Sequence, residues 1–181
     1  MNSRAWALRL GVVIAVVTAT LPCQADAPTR EYLVKAAFIF NFTQFVQWPT
    51  DALGDQDSPF IVAVVGDNPF DSALEHAVAD KTVEGHPIVV RYFSSADQIQ
   101  ACHLLFVPAS QDGATSAILG KVANMPVLSV GEGDSFLPSG GGIRLFIEDG
   151  RMRFELDPDV LEASNLKASA KLMKLARIYK K

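Results

Sequence analysis

A few groupings in this sequence combine residue types that can do chemistry. Gly133-Asp134-Ser135 matches the opening of a GDS-type esterase block, in which a serine attacks an acyl carbon after a histidine takes its proton. The only histidines are His76, His86 and His103, all upstream of Ser135, whereas that esterase order places the base downstream. A turn is the plainer reading, and no catalytic residue is assigned. The histidines form no i, i+4 pair, and Cys102 beside His103 is not a ligand set by itself, so no metal is assigned either. The segment VVGDNPF, Val64 to Phe70, puts Gly66 and Asp67 after an expected strand and before an expected helix. Open α/β sheets bind ligands there, and helix N-termini attract anions. One glycine is not a dinucleotide fingerprint and no phosphate-binding lysine motif accompanies it, so no cofactor is indicated. A glycine turn capped by Asp67 or Asn68 is the bland alternative to a small-ligand site. Arg144, after Gly140-Gly141-Gly142, has the guanidinium to hold a carboxylate or phosphate, or to pair with Glu148 or Asp157. Lys167, Lys171, Lys174 and Lys181 fall near one face of an expected last helix, as in ordinary amphipathic packing or as a basic contact for an acidic partner or membrane surface.

The elements that position these residues follow from apolar spacing. A helix is expected from about Arg30 to Gln47, capped by Thr29 and stopped by Trp48-Pro49, with apolar residues on more than one face. FIVAVVG, Phe60 to Gly66, reads as a buried central strand. Helices near Asp71–Ala79, Ala96–Gln100 and Ala114–Ala123 then alternate with strands at Pro87–Phe93, His103–Pro108 and Pro126–Val130. Alternation of this kind predicts a three-layer α/β fold, a mostly parallel sheet with helices on both faces. Ile143–Ile147 and Met152–Leu156 flank Asp149-Gly150, which predicts a C-terminal β-hairpin. Asp157-Pro158 opens a short helix, and a last helix is expected from about Ala168 to Lys180.

The N-terminus bounds the compartment. Arg4 and Arg9 precede an uncharged run from Leu10 to Leu21 that Pro22 breaks, the layout of a secretory signal rather than of a membrane span. Cleavage is expected near Ala25, which gives a signal peptide at 1–25 and one domain at 26–181. Removing two arginines and no acid takes the formal charge from −4 to −6, a poor match to nucleic acid. Cys23 leaves with the signal, so Cys102 has no intramolecular partner, and a buried, inert thiol is expected.

Several segments, in order, resemble the YfiR family of exported proteins. They are Glu31-Tyr32, Lys35-Ala36-Ala37-Phe38, Asn41-Phe42 and Phe45-Val46 with Trp48-Pro49; Val65-Gly66-Asp67 with Pro69-Phe70; Cys102 to Phe106; Gly140 to Gly142; Phe154-Glu155-Leu156; and Lys171 to Ala176. The resemblance implies a periplasmic, non-enzymatic α/β domain that binds the periplasmic part of an inner-membrane diguanylate cyclase or sensor protein. Such binding restrains cyclic di-GMP synthesis and biofilm formation. The resemblance also implies self-association, for example as a homodimer, and cues arriving through an outer-membrane lipoprotein. Some relatives carry paired cysteines, one of them where this sequence has Ile61 to Val64, so their disulfide control does not transfer; the position of Asp157 is often Asn in them. The places expected to meet a partner are exposed members of the aromatic first helix, the strand edge near Phe154, and Lys171 and Lys174. A small-ligand sensing module around Gly66, Asp67 or Arg144, with no cyclase partner, is the alternative, and a Ser135 esterase is the third.

Overall fold

The computed structural model describes residues 30–180; the expected signal peptide and the Thr29 cap lie outside the described residues. The chain runs α1 (Arg30–Phe45), β1 (Val46–Gln47), β2 (Phe60–Val65), α2 (Ala73–Val78), β3 (Thr82–Val83), β4 (His86–Phe93), β5 (Leu104–Val107), α3 (Thr115–Lys121) and β6 (Leu128–Gly131). It continues through β7 (Ile143–Glu148), β8 (Arg151–Leu156), α4 (Pro158–Ala163), β9 (Lys167–Ala168), α5 (Ala170–Leu175) and β10 (Arg177–Ile178). One sheet carries eight of the strands in the order β10-β8-β7-β6-β5-β2-β4-β3. The five from β4 to β7 across that order run parallel, and β3 and β8 pair antiparallel to their neighbours.

Strand β2 shows why the sheet is covered on both sides. All six of its residues are buried, and because side chains alternate across a sheet they divide between two cores. Phe60, Val62 and Val64 join α1, α2 and the inner hairpin residues, whereas Ile61, Ala63 and Val65 join α3. Each of these Val, Ile and Phe side chains withdrawn from water stabilises by roughly 1.5–3 kcal/mol. The hairpin turns where expected: Asp149 and Gly150 take φ of 51° and 70°, the paired left-handed conformations of a type I′ turn. Asp157 caps α4 by accepting from the Asp159 and Val160 amides at 3.0 and 3.2 Å.

Two expectations are corrected. The first helix ends at Phe45, and Val46–Gln47 pairs antiparallel with Lys167–Ala168. The last helix is only Ala170–Leu175, started by Ser169, whose Oγ accepts from the Leu172 amide at 3.2 Å. It stops early because the outer edge of β8 has backbone groups to satisfy. Arg177–Ile178 turns extended beside Glu155–Leu156, and the Tyr179 amide donates to the Leu156 carbonyl at 2.9 Å. Consequently Lys167 lies on a strand and Lys171 and Lys174 on a six-residue helix, so the lysines do not form one helical face.

Candidate interaction surface

The carboxyl edge of the parallel strands is the first place to look. The chain leaves β2 toward α2 on one face and β5 toward α3 on the other, so the sheet has its switch point between these strands, where doubly wound folds bind ligands. Here the crevice is filled by the protein itself. Gly66 has φ +85°, and a Cβ there would stand 2.6 Å from the Gln111 carboxamide nitrogen, so Gln111 occupies the space a ligand would enter. Asn68 Oδ1 accepts from the Phe70 amide at 2.9 Å and its Nδ2 donates to the Asp71 carbonyl at 2.8 Å, while Asp67 is exposed. These are the bonds of a turn. The Ser135 hydroxyl donates to Asp112 Oδ1 at 2.6 Å, and no histidine stands with them. His76 lies on α2, and the His86 ring faces the Ser58 carbonyl at 2.8 Å.

Further along the same edge lies a buried ion pair. Lys35, 5 % exposed, meets Glu132 Oε1 at 2.5 Å and also pairs with Glu31 one turn back along α1. Glu132 Oε2 accepts from the Ala109 amide at 2.8 Å and from the Tyr32 hydroxyl at 3.3 Å. Burial works against the Lys35 charge, but the bonds to Glu132 and Glu31 outweigh it and hold the ammonium above the usual lysine range. Burial, with the Glu132 charge second, raises Tyr32. The cluster is therefore a clamp that ties α1 to the ends of β5 and β6.

The amino edge is tied as firmly. His103 Nδ1 accepts from the Ile61 amide at 2.8 Å and its Nε2 donates to the Ala52 carbonyl at 3.0 Å, which fixes one neutral tautomer. Trp48 Nε1 donates to the His103 carbonyl at 3.2 Å, so the Trp-Pro end of the first helical segment is latched to β5. Cys102 is buried beside this latch, and burial pushes its thiol up to about 12, far from the thiolate that redox chemistry needs.

The hairpin is different. On one of its faces Arg144 pairs with Asp134 and, through Nη2 at 3.0 Å, with Glu155; Arg177 meets Glu148 at 2.5 Å and Glu155 at 3.4 Å. The expected Arg144 partners, Glu148 and Asp157, are thus taken by Arg177 and by the α4 cap. On the opposite face Phe154 is 7 % exposed, with its ring 5.2 Å from that of Phe42 and 6.2 Å from that of Phe38. Phe154 itself is thus a core side chain, and β10 lies beside β8 at Glu155 and Leu156, so of the expected strand edge near Phe154 only the stretch toward the turn has no strand beside it among the described residues. Toward the turn the same face opens. Val34 of α1, Ile147 and Met152 line a hollow of about 390 Å³ with Arg30, Glu31 and Gly150 at its rim, and Ile147 is 52 % exposed, as is Leu33 nearby on α1.

A family model described as YfiR/HmsC-like matches residues 32–177. This chain belongs to the YfiR/HmsC-like family. No curated protein matches the chain. The YfiR/HmsC-like family is one of periplasmic regulators in cyclic di-GMP signalling. No helix among the described residues is long and apolar enough to cross a membrane.

In this YfiR/HmsC-like chain Gly66 and Asp67 share one turn, and Arg144 stands apart from them with β5 and β6 between. Lys171 and Lys174 are exposed on α5, the Lys171 ammonium 4.8 Å from the Phe45 ring. Sequence reasoning missed the Lys35–Glu132 pair, whose visible half is the i, i+4 spacing of Glu31 and Lys35. It also missed Ile147, an apolar residue next to a hairpin turn where a polar one would ordinarily face water.

Proposed function

We propose that this protein restrains a membrane-anchored diguanylate cyclase by binding its periplasmic part, without chemistry of its own, and that self-association and an outer-membrane lipoprotein set how much of it is free to bind. The observation that carries this reading is the apolar surface of Val34, Ile147 and Met152, open at the hairpin while the switch-point crevice is filled. Inhibition needs only tighter binding to one state of the target. Moving a two-state equilibrium from 1:99 to 99:1 takes about 5.5 kcal/mol of differential binding, within reach of a modest apolar contact. The test is deletion of the gene with cyclic di-GMP as the readout. The level rises on deletion, falls with the wild-type chain, and does not fall with Val34→Asp/Ile147→Asp at equal abundance. An unchanged level, with no cyclase copurifying from membranes, sinks the proposal.

A second reading, a small-ligand sensor, is favoured by a cleft of about 780 Å³ at the amino edge, lined by Trp48, Asp51, Glu162 and Asn165 among others. A thermal-shift screen against nucleotides and amino acids tests it. No rise in melting temperature at millimolar ligand ends it.

A further inference from the structure

We infer that the outer edge of β8 is a strand-addition site for an extended segment of the partner that alternates acidic and apolar residues. This deepens the cyclase-restraint reading and rests on it for the partner. The backbone supplies the first reason. A two-residue turn makes Glu148 and Arg151 the closing hydrogen-bonded pair, so bonded pairs recur at Phe146–Arg153 and Arg144–Glu155. Met152, Phe154 and Leu156 therefore aim their amides and carbonyls away from β7, and the bond from the Tyr179 amide to the Leu156 carbonyl follows that direction. Strand β10 covers the edge only at Glu155 and Leu156. At Met152 both backbone groups face outward, and no strand among the described residues lies beside them.

Side chains supply the chemistry. Two hollows flank this open stretch: the one at Val34, Ile147 and Met152, and another of about 260 Å³ where Leu175 and Phe154 meet Arg153. Ile147 and Met152 put the first on the face of Phe154, and Phe146, Glu148 and Arg153 put the second on the opposite face, so each face of an added strand has a hollow beside it. Arg151 and Arg153 are exposed on the other face, outside the ion pairs that Arg144 and Arg177 make with Asp134, Glu148 and Glu155 among the described residues. A chain with an acidic net charge thus presents a basic edge. A second copy pairing edge to edge would set these arginines against their own counterparts, which opposes self-pairing and favours an acidic occupant.

The probe is a fluorescein-labelled peptide of about ten residues alternating Glu and Val, with two twins N-methylated on either the valines or the glutamates. It is titrated by anisotropy against the mature chain. The parent binds, and the twin methylated on its edge-facing amides binds at least about tenfold more weakly than the other. Equal binding by both twins, or none by the parent at about 1 mM, overturns the proposal. On the protein, Met152→Pro removes an outward amide that β7 does not use and weakens binding about tenfold. If that variant does not fold, Arg153→Glu takes its place, with loss of the Glu–Val peptide and gain of a Lys–Val one; unchanged preference overturns the site. A folded Met152→Pro chain that restrains cyclic di-GMP like wild type overturns the edge and leaves the cyclase reading standing. A deletion without effect removes the cyclase reading, and peptide binding alone then decides the edge.

Discussion

The carboxyl edge of the sheet and the C-terminal hairpin are both places where a fold of this kind can meet something else, and they are built in opposite ways. At the carboxyl edge the polar groups are spent on one another: Lys35 on Glu132 and Glu31, Ser135 on Asp112, and Gln111 against Gly66. At the hairpin, apolar side chains reach solvent and part of a strand edge is open. The position that topology nominates for a ligand is used to hold α1 in place. The open apolar surface lies instead in the region the parallel sheet does not enclose.

The sharpest way to break that contrast is to damage the closed side of the hairpin. Phe154→Ala removes a ring packed on Phe42 and Phe38, and the cavity costs about 4 kcal/mol, read as a lower urea midpoint. A loss below about 1 kcal/mol would mean that this face is open after all. Next comes the clamp. Glu132→Ala leaves the buried Lys35 ammonium with only the half-exposed Glu31 and takes the acceptor from the Ala109 amide, at a cost of about 3 kcal/mol, whereas Lys35→Met/Glu132→Leu recovers most of that, because a buried pair is worth little over apolar residues of similar volume. If the double variant also loses regulation while remaining folded, the clamp does more than hold α1.

A smaller effect is set by pH. Burial lowers the His103 pKa below the ordinary imidazole range, the Ala52 bond opposing it and His86 adding to it. Between that lowered value and roughly 6.5 the unfolded chain binds the extra proton, so stability falls as pH drops through this window and is level above it. Urea midpoints measured across the window show the slope, and His103→Asn flattens it. The smallest effect belongs to the open surface. Ile147→Ser changes stability by no more than about 0.5 kcal/mol while weakening restraint of cyclic di-GMP. A large stability loss there would erase the distinction between the two regions.

The sheet and the hairpin were readable because their signals are local. β-branched runs mark β2 and β4, a short apolar run marks β5, and Asp149-Gly150 demands φ values that few other pairs tolerate. The cap at Asp157 was readable for the same reason. The end of the chain was not. The lysines near the C-terminus follow a helical period, but an open strand edge decides the conformation there, and that edge exists only once β7 and β8 have paired. The candidate surface was half legible: an over-apolar first helix announced that something covers it, and only the tertiary arrangement reveals that Val34 is left beside Ile147 while Phe38 and Phe42 are taken up by Phe154. Glu132 gave no local hint, because its partner comes from the other end of the sequence.

The first helix also has a consequence in time. α1 leaves the ribosome before the other described elements, and although Phe70 soon follows to meet Tyr32, part of the surface that receives it comes last, since Phe42 waits for Phe154 and Val46 pairs with Ala168. Contacts so distant along the chain close slowly, and until they do part of the apolar surface of α1 stands without cover. The docking of α1 on the hairpin is therefore a late step, and until then a chaperone has an apolar helix face to hold.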